Sequence, residues 1–286
     1  MNDEKKDLRN ELVKDDDEKK GMKETLEEVD ASEVPDEEDL TFDFPCGVLY
    51  GGAVQHDFEI RELTGADQED ISSVARKNDG KKVANRLCEI GIERIGAYEK
   101  SKMSKEDWRK VIHAMTVPDQ DYAMVKIRQA SMGETIVVKS VCPDCGAHVD
   151  TEIDISTEWE VEPYEGSAEQ KEIFELPKPY VDKDGKKHSE VIIRLANGFD
   201  REVVLPMARK NIAKASTMML ARICEFADGY PLTEITLRDM KLKSIEFLQA
   251  KNKEMMSFGY KQTVHVECPQ CGNEYDTATS AFQDFL

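Results

Sequence analysis

The chain has 286 residues, of which 40% are hydrophobic and 34% are charged, and its formal net charge at pH 7 is -20. That length holds two modules of ordinary size, and that hydrophobic share suffices for a folded core. The negative charge argues against nucleic acid as a partner, because such binding needs Lys and Arg to displace counterions, and the lack of a long apolar run argues against a membrane partner.

Residues 1–42 are predicted to form a disordered acidic tail. Apolar residues are sparse there, and clustered carboxylates such as Asp15–Asp17 and Asp36–Asp39 repel one another. The segment has no signal-peptide pattern, so we expect the chain to stay in the cytosol where it is made. An alternative remains open, in which apolar residues recurring between Leu8 and Val29 fold as a helix on a partner.

Residues 43–165, called the first half below, begin with a predicted strand pair at 48–52 and 58–63. A helical region follows, and its inward face is predicted from helical spacing to carry Val83, Leu87, Cys88, Gly91, Ile95 and Tyr98. Ser104, three residues before Asp107, predicts the start of another helix. A last helix near 119–130 then leads into a β-ribbon strand at 135–141.

Residues 166–286, the second half, read in the same order. A strand pair is predicted at 174–181 and 191–195, with a turn at 182–185. The next inward helix face is predicted to carry Ile212, Ser216, Met219, Ile223 and Phe226. Thr236, three residues before Asp239, predicts a helix start, and a helix near 245–256 leads to a ribbon strand at 263–267.

The two halves also match in sequence. Residues 131–151 and 257–277 align without a gap and share nine identities, which include every cysteine of the aligned segments. Weaker matches recur upstream in the same order, as Ile60-Arg61, Gly65, Asp67 and Glu69 against Ile193-Arg194, Gly198, Asp200 and Glu202. Chance gives about one or two identities in such a window, so we interpret the chain as a duplication.

Each aligned segment contains Cys-Pro-x-Cys-Gly, which supplies Cys142 and Cys145 in the first half and Cys268 and Cys271 in the second. Two thiolates separated by two residues can grip one tetrahedral metal ion, and a closed structural site needs four. The sequence therefore predicts one shared zinc ion on all four cysteines, with iron as the less favoured metal. The fold class expected is α+β, in which two tandem modules of hairpin, helices and zinc-knuckle ribbon are joined by that site.

The other candidate residues have ordinary interpretations. His148 and His265 lie near the knuckles but are predicted to be surface residues, because four cysteines already complete a site. Cys46, Cys88 and Cys224 are predicted to be buried thiols, the last two on inward helix faces. No phosphate-binding loop, GxSxG, HExxH or GxGxxG motif is present, so we expect no enzyme, no catalytic residue and no organic cofactor.

Several motifs then follow one another at a characteristic spacing: Ile60–Gly65, a helical stretch ending in Asp121–Ser131, Gly133, the knuckle Cys142–Gly146, and Asp154–Ser156. In this order they resemble the baseplate assembly proteins of contractile-tailed bacteriophages. The resemblance implies a non-enzymatic protein of the tail hub or baseplate that binds tail proteins such as the tape measure, as assembly chaperone or structural component. It also implies assembly in the host cytoplasm, and leaves open whether the protein stays in the virion.

Two rival functions remain from other classes. A zinc-ribbon regulator contacting nucleic acid or the transcription machinery would need a basic stripe beside the knuckles, but acidic residues surround Lys139 and Lys261. A thiol-redox enzyme would use one Cys-x-x-Cys as a reactive dithiol, whereas this chain carries two at the ends of ribbons.

Overall fold

The structure, a computed structural model, describes residues 39–76, 83–166, 168–208 and 210–278. The segment from Leu8 to Val29, where a helix on a partner was an alternative, lies outside these residues. Most of the predicted acidic tail also lies outside them, but the first strand already begins at Thr41, inside the range predicted for the tail. Residues from Leu40 onward belong to one compact unit.

A four-stranded antiparallel sheet, in the order β1-β2-β3-β4, and four helices form most of the first half. The strands of this sheet are β1 (Thr41–Tyr50), β2 (Ala53–Ile60), β3 (Ile92–Ile95) and β4 (Tyr98–Glu99). The helices are α1 (Gly65–Arg76), α2 (Val83–Gly91), α3 (Lys105–Ala114) and α4 (Val117–Met132), with a 3-10 turn at Lys100–Lys102. A hairpin, a short helix and a short strand complete this half: β5 (Thr135–Val141), β6 (His148–Asp154), α5 (Ile155–Glu158) and β7 (Val161–Glu162).

Within its described residues, the second half also has a hairpin, two helices, a third strand and two further helices before its ribbon, but β4 and the 3-10 turn have no counterpart there and a short strand just before the ribbon is additional. A three-stranded antiparallel sheet is formed by β8 (Lys171–Val181), β9 (Lys187–Arg194) and β10 (Cys224–Phe226). Its helices are α6 (Gly198–Ala208), α7 (Ile212–Ile223), α8 (Glu234–Asp239) and α9 (Leu242–Met255). The chain then forms β11 (Gly259–Tyr260), which pairs with β7, and the hairpin of β12 (Thr263–Glu267) and β13 (Glu274–Ala278).

The predicted helix faces are wrong at their C-terminal ends. Helix α2 ends at Gly91, and Ile95 and Tyr98 lie in strands that pair with each other. Phe226 likewise lies in β10, which pairs with β9. Over two helical turns, the spacing of a few apolar residues fits a helix and a strand equally well. Here these residues form strands, because they pair with an existing hairpin. Ile212, predicted to face inward, is 78% exposed, and α7 instead buries Ala215, Leu220 and Ile223.

One of the two predicted helix starts is correct. The Ser104 hydroxyl caps α3 by accepting a hydrogen bond from the backbone N–H of Asp107 at 3.1 Å. Helix α8 starts earlier than predicted, because Thr233 is the capping residue and accepts from the N–H of Thr236 at 3.3 Å. Thr236 itself is buried, where its hydroxyl donates to the carbonyl of Pro231. Thr233 and Thr236 each lie three residues before a residue of the helix, so the sequence alone does not show which of them is the cap.

The corresponding elements of the two halves share detailed contacts. In each half an arginine at the end of the hairpin pairs with an aspartate in the first turn of the next helix: Arg61 with Asp67 at 2.8 Å, and Arg194 with Asp200 at 2.7 Å. The hairpins are also irregular at the same place, since the pairing register shifts in β1 around Pro45 and in β8 between Glu175 and Tyr180. Both shifts coincide with prolines, which cannot donate to a strand ladder.

Three apolar clusters make up the core of the part of the chain that the structure describes. The largest lies between the first sheet and α1 to α4, and a second lies between the second sheet and α7 to α9. The third joins the two ribbons, β5–β6 and β12–β13, through side chains from both halves that include Val138, Val149, Val264, Val266 and Trp159. Among the residues that the structure describes, each helix falls short of the length or apolarity that a membrane span requires.

The two halves also meet directly along their backbones. An isolated bridge pairs Thr116 with Asn197, and the N–H of Gly198 donates to the carbonyl of Met115 at 3.1 Å. The side chains of Arg201 and Asp121 form an ion pair at 2.6 Å across the same boundary. These contacts, together with the β7–β11 pair, fix the position of one ribbon against the other.

Candidate metal centre

Alternating side chains explain why the two ribbons pack face to face. Ile136 and Val138 on β5 point inward and are 3% and 2% exposed, and Val264 and Val266 on β12 match them at 3% and 1%. The residues between them face solvent, as the period-two alternation of a half-buried strand requires. Both ribbon strands have the bounds predicted from the sequence, 135–141 and 263–267. Each ribbon therefore delivers its Cys-Pro-x-Cys-Gly turn to the same end of the third cluster.

The two turns have the same backbone geometry. The N–H of Gly146 donates to the carbonyl of Cys142 at 3.0 Å, and the N–H of Gly272 donates to that of Cys268 at 2.8 Å. Both glycines have positive φ, +73° and +71°, in the region that side chains with a Cβ rarely adopt. A second bond closes each turn, from the N–H of Cys142 to Ala147 and from that of Cys268 to Asn273. This curl brings both thiols of a turn to the same side.

The structure brings the four predicted cysteines together. The Sγ atoms of Cys142 and Cys271 are 3.7 Å apart, as are those of Cys145 and Cys268, and all four lie within 4.8 Å of one another. Both close pairs join one half of the chain to the other. A disulfide needs about 2.05 Å between its sulfurs, so neither pair is one.

These distances fit a tetrahedral metal. Four sulfurs at about 2.3 Å from a central zinc ion lie about 3.8 Å from each other, which is close to the two measured separations. Cys142 and Cys268 are each 1% exposed, whereas Cys145 and Cys271 are exposed at the rim. The cluster can therefore hold one metal ion that sits against the apolar ribbon interface and is reached from solvent on one side.

The protonation of the thiols also favours a cation. The backbone N–H of Cys145 is the largest of the influences that lower the pKa of the Cys142 thiol to about 6. At Cys271 the backbone N–H of Asn273 favours the thiolate, but the neighbouring sulfurs outweigh it and raise the pKa to about 12. Sulfurs this close cannot all be negative unless a cation stands between them, because like charges repel. A bound divalent ion removes that restriction and releases protons.

Other polar groups near the cluster support the turns without adding to the thiol set. The amide of Asn273 donates to the sulfur of Cys142 at 3.9 Å, and the hydroxyls of Ser140 and Tyr275 bond across the two ribbons at 2.8 Å. His148 is exposed, and the His265 ring faces Asp276 at 3.0 Å on the outside of its ribbon. Neither histidine belongs to the cluster of possible metal ligands among the described residues.

The remaining three cysteines are buried, as predicted, and lie apart from the cluster. Burial raises the pKa of Cys46 and Cys88 well above the usual thiol range, and raises that of Cys224 to about 12. These thiols therefore stay protonated at neutral pH and are poor nucleophiles. The placement of Cys224 on a helix face is wrong, since it is the first residue of β10. Cys88 does lie on the buried face of α2.

A buried polar group that the sequence did not reveal lies at the start of α4. The Asp119 carboxylate is fully buried and accepts hydrogen bonds from the Thr116 hydroxyl at 2.7 Å and the backbone N–H of Cys46 at 3.0 Å. Burial raises its pKa to about 7. The Thr-x-x-Asp spacing signals a helix cap, but nothing in the local sequence shows that β1 closes over it.

Comparison with known proteins places the chain in a protein family. A family model described as T4 bacteriophage base plate protein matches residues 54–286, which is most of the chain and includes all four clustered cysteines. This match confirms the family resemblance seen in the sequence motifs. No curated protein and no solved structure matches the chain.

Proposed function

The chain belongs to the T4 bacteriophage base plate protein family, and from this premise we propose that it is a zinc-clamped assembly component of the tail hub. Membership gives it a structural role in the phage baseplate, with other phage structural proteins as partners and the virion tail as its place. The proposal adds that the protein binds tail components during assembly in the host cytoplasm, and that it performs no catalysis.

The observation that carries the proposal is the position of the thiol cluster. Two cysteines come from each half, and the closest sulfur pairs cross from one half to the other. A metal held there links segments of the chain that are far apart in sequence. Four thiolates fill a tetrahedral ion and leave no position for a reactive water, so such a site supports architecture rather than hydrolysis.

Zinc is the metal that we propose for Cys142, Cys145, Cys268 and Cys271. Its bond lengths fit the sulfur separations, and it prefers four-thiolate sites that are closed. Iron prefers the same donor set, so sulfur geometry alone does not exclude it. Zinc is favoured because no other feature of the described residues indicates electron transfer.

We also propose that the two halves are copies of one module, at residues 43–165 and 166–286, that follow an acidic tail. The matching element order, the paired Arg61–Asp67 and Arg194–Asp200 contacts and the identical turn geometry support this. A further sequence match supports it too, since 75–78 and 208–211 both read Ala-Arg-Lys-Asn. In this account, the metal closes the free ends of two modules that already share a backbone boundary.

The partner that we propose is a tail protein such as the tape-measure protein or a hub subunit. A rigid, strongly acidic surface attracts basic segments of a partner and speeds their encounter. The rival regulator is less well supported, because carboxylates dominate the exposed faces of both ribbons. Those faces carry Asp144, Asp150, Glu152, Glu267, Glu274 and Asp276.

The test is capture of tail proteins during infection. The tagged chain is used as bait in infected-cell lysate, and the captured proteins are identified by mass spectrometry. We expect tape-measure or hub proteins with the unaltered chain, and a strong loss with the Cys142→Ser/Cys268→Ser double variant. Cys224→Ser, which changes a buried thiol outside the cluster, serves as the control and should retain capture. Recovery of no tail protein by the unaltered chain would refute the proposed partner class.

A further inference from the structure

A cavity of about 390 Å³ opens beside the place where the two halves pair through β7 and β11. Its walls come from the connection between the halves at 163–166, the start of β8 and the C-terminal end of α9. None of the clustered cysteines lines it. The volume is sufficient for one long side chain of another protein.

The floor of this cavity is aromatic and apolar. The rings of Tyr164 and Phe258 lie 4.5 Å apart between centroids, and Phe174 and Met255 extend the apolar surface. A cation is already held against part of this floor, since the ammonium of Lys251 lies 5.4 Å from the centroid of the Phe174 ring. The floor therefore offers ring faces to which a cationic group is attracted.

The side chains that line the cavity carry net negative charge. Glu165, Glu172 and Glu254 are its charged lining residues among those that the structure describes, and Lys251 is a cation beside it. Glu254 pairs with Lys251 at 2.7 Å, and Glu172 accepts a bond from the amide of Gln170 at 2.8 Å. The carboxylate of Glu165 is exposed at the mouth, so the cavity keeps uncompensated negative charge.

One polar atom in the wall has no partner. The hydroxyl oxygen of Tyr164 is buried and makes no hydrogen bond within the described part of the chain. A buried hydroxyl without a partner costs free energy, and such groups in native proteins commonly await a water or a ligand. Because this oxygen has almost no surface accessible to a water-sized group, a donor in the cavity reaches it only if the Tyr164 side chain moves.

We propose that this cavity binds an arginine side chain on an exposed segment of a partner protein. A guanidinium stacks on aromatic faces through its plane and carries five N–H donors, enough for the carboxylates of Glu172 and Glu254. A lysine ammonium has no plane to stack and fewer donors. The inference deepens the proposed function, on which it rests for the identity of the partner as a phage structural protein.

The experiment uses the full-length protein labelled with ¹³C at its methionine methyl groups, because Met255 lines the cavity and reports on its occupancy. The probe is the peptide acetyl-Ala-Ala-Arg-Ala-Ala-amide. Its control replaces arginine by citrulline, which has nearly the same shape and no charge. We expect the arginine peptide to shift the Met255 signal at a concentration at least tenfold lower than the citrulline peptide does. The signal of Met124, buried in the first half, should stay in place.

Two double variants test whether the peptide binds in this cavity. Glu172→Gln/Glu254→Gln should weaken the arginine peptide at least fivefold, whereas Glu106→Gln/Glu246→Gln removes the same charge from exposed positions and should leave its affinity unchanged. If the first double variant unfolds, the single Glu172→Gln variant replaces it with a smaller expected loss. An unmoved Met255 signal, equal binding of both peptides, or equal binding to both double variants would overturn the inference. The assay contains no other phage protein, so its failure would leave the proposed assembly role untouched.

Discussion

Removing one cysteine of the cluster should abolish the part of the free energy of unfolding that a bound metal contributes. Cys145 and Cys268 lie 123 positions apart, so a metal that bridges them closes a very long loop. A metal that binds the folded chain and not the unfolded chain adds its binding free energy to stability, which is about 4 kcal/mol when the free ion is at a thousand times its dissociation constant. We therefore expect a chelator to lower the free energy of unfolding of the unaltered protein by about that amount.

The assay is urea unfolding at pH 7 with and without a zinc chelator, followed by the fluorescence of the two tryptophans. Trp108 lies in the first core cluster and Trp159 in the ribbon cluster, so both regions are observed. In Cys268→Ser the chelator should have an effect below about 1 kcal/mol, because three thiolates bind zinc far more weakly than four.

Cys224→Ser provides the matched control for this prediction. It places a hydroxyl at another buried position and should cost about 1–3 kcal/mol by itself. Its response to the chelator should equal that of the unaltered protein, since Cys224 lies outside the cluster. The reasoning is refuted if the chelator has no effect on the unaltered protein, or acts equally on Cys268→Ser.

Three further predictions concern single residues. Asp200→Asn should cost about 3 kcal/mol in thermal or urea unfolding, because it leaves two arginines facing a neutral group at a side chain only 1% exposed, whereas Asp144→Asn on an exposed turn should stay within about 0.5 kcal/mol. The pKa of Asp119 is about 7 in the folded state and 3.8 for an ordinary aspartate, so the folded state binds this proton more tightly. The free energy of unfolding should therefore fall as pH rises from about 4 to 7. Urea unfolding across that window should show this fall in the unaltered protein and not in Asp119→Asn. Gly272→Ala should lower the free energy of unfolding by about 1–2 kcal/mol and lower zinc retention in chelator competition, because φ is +71° there although the space for a Cβ is open. The control Gly65→Ala, in a helix with open space for a Cβ, should lower neither.

Local sequence signals predicted the ends of the ribbons better than the sheets. Both ribbon strands have the predicted bounds because period-two alternation and a Cys-Pro-x-Cys-Gly turn act together over a few residues. The Ser104 cap followed from a short-range hydrogen bond for the same reason. The clustering of the four cysteines could be expected from the two Cys-Pro-x-Cys-Gly segments, because each supplies two thiolates and a closed structural site needs four.

The errors arose where distant parts of the chain decide the structure. Ile95 and Phe226 fit a helical spacing, yet both join a third strand to an existing hairpin, and that hairpin is remote in sequence. The same limit applies to Asp119, whose burial depends on β1. The acidic cavity is equally invisible in the sequence, because its walls come from the linker, β8 and α9. The amino-acid composition indicates that the protein surface is acidic, but it does not indicate where this cavity lies.

The central claim is that one metal ion joins the two halves, and elemental analysis combined with native mass spectrometry tests it most directly. We predict one zinc ion per chain in the purified protein, and its loss or strong depletion in Cys268→Ser. Two metals per chain, or none, or a Cys268→Ser protein that keeps a full equivalent would contradict the shared site, and with it the clamped arrangement of the two halves.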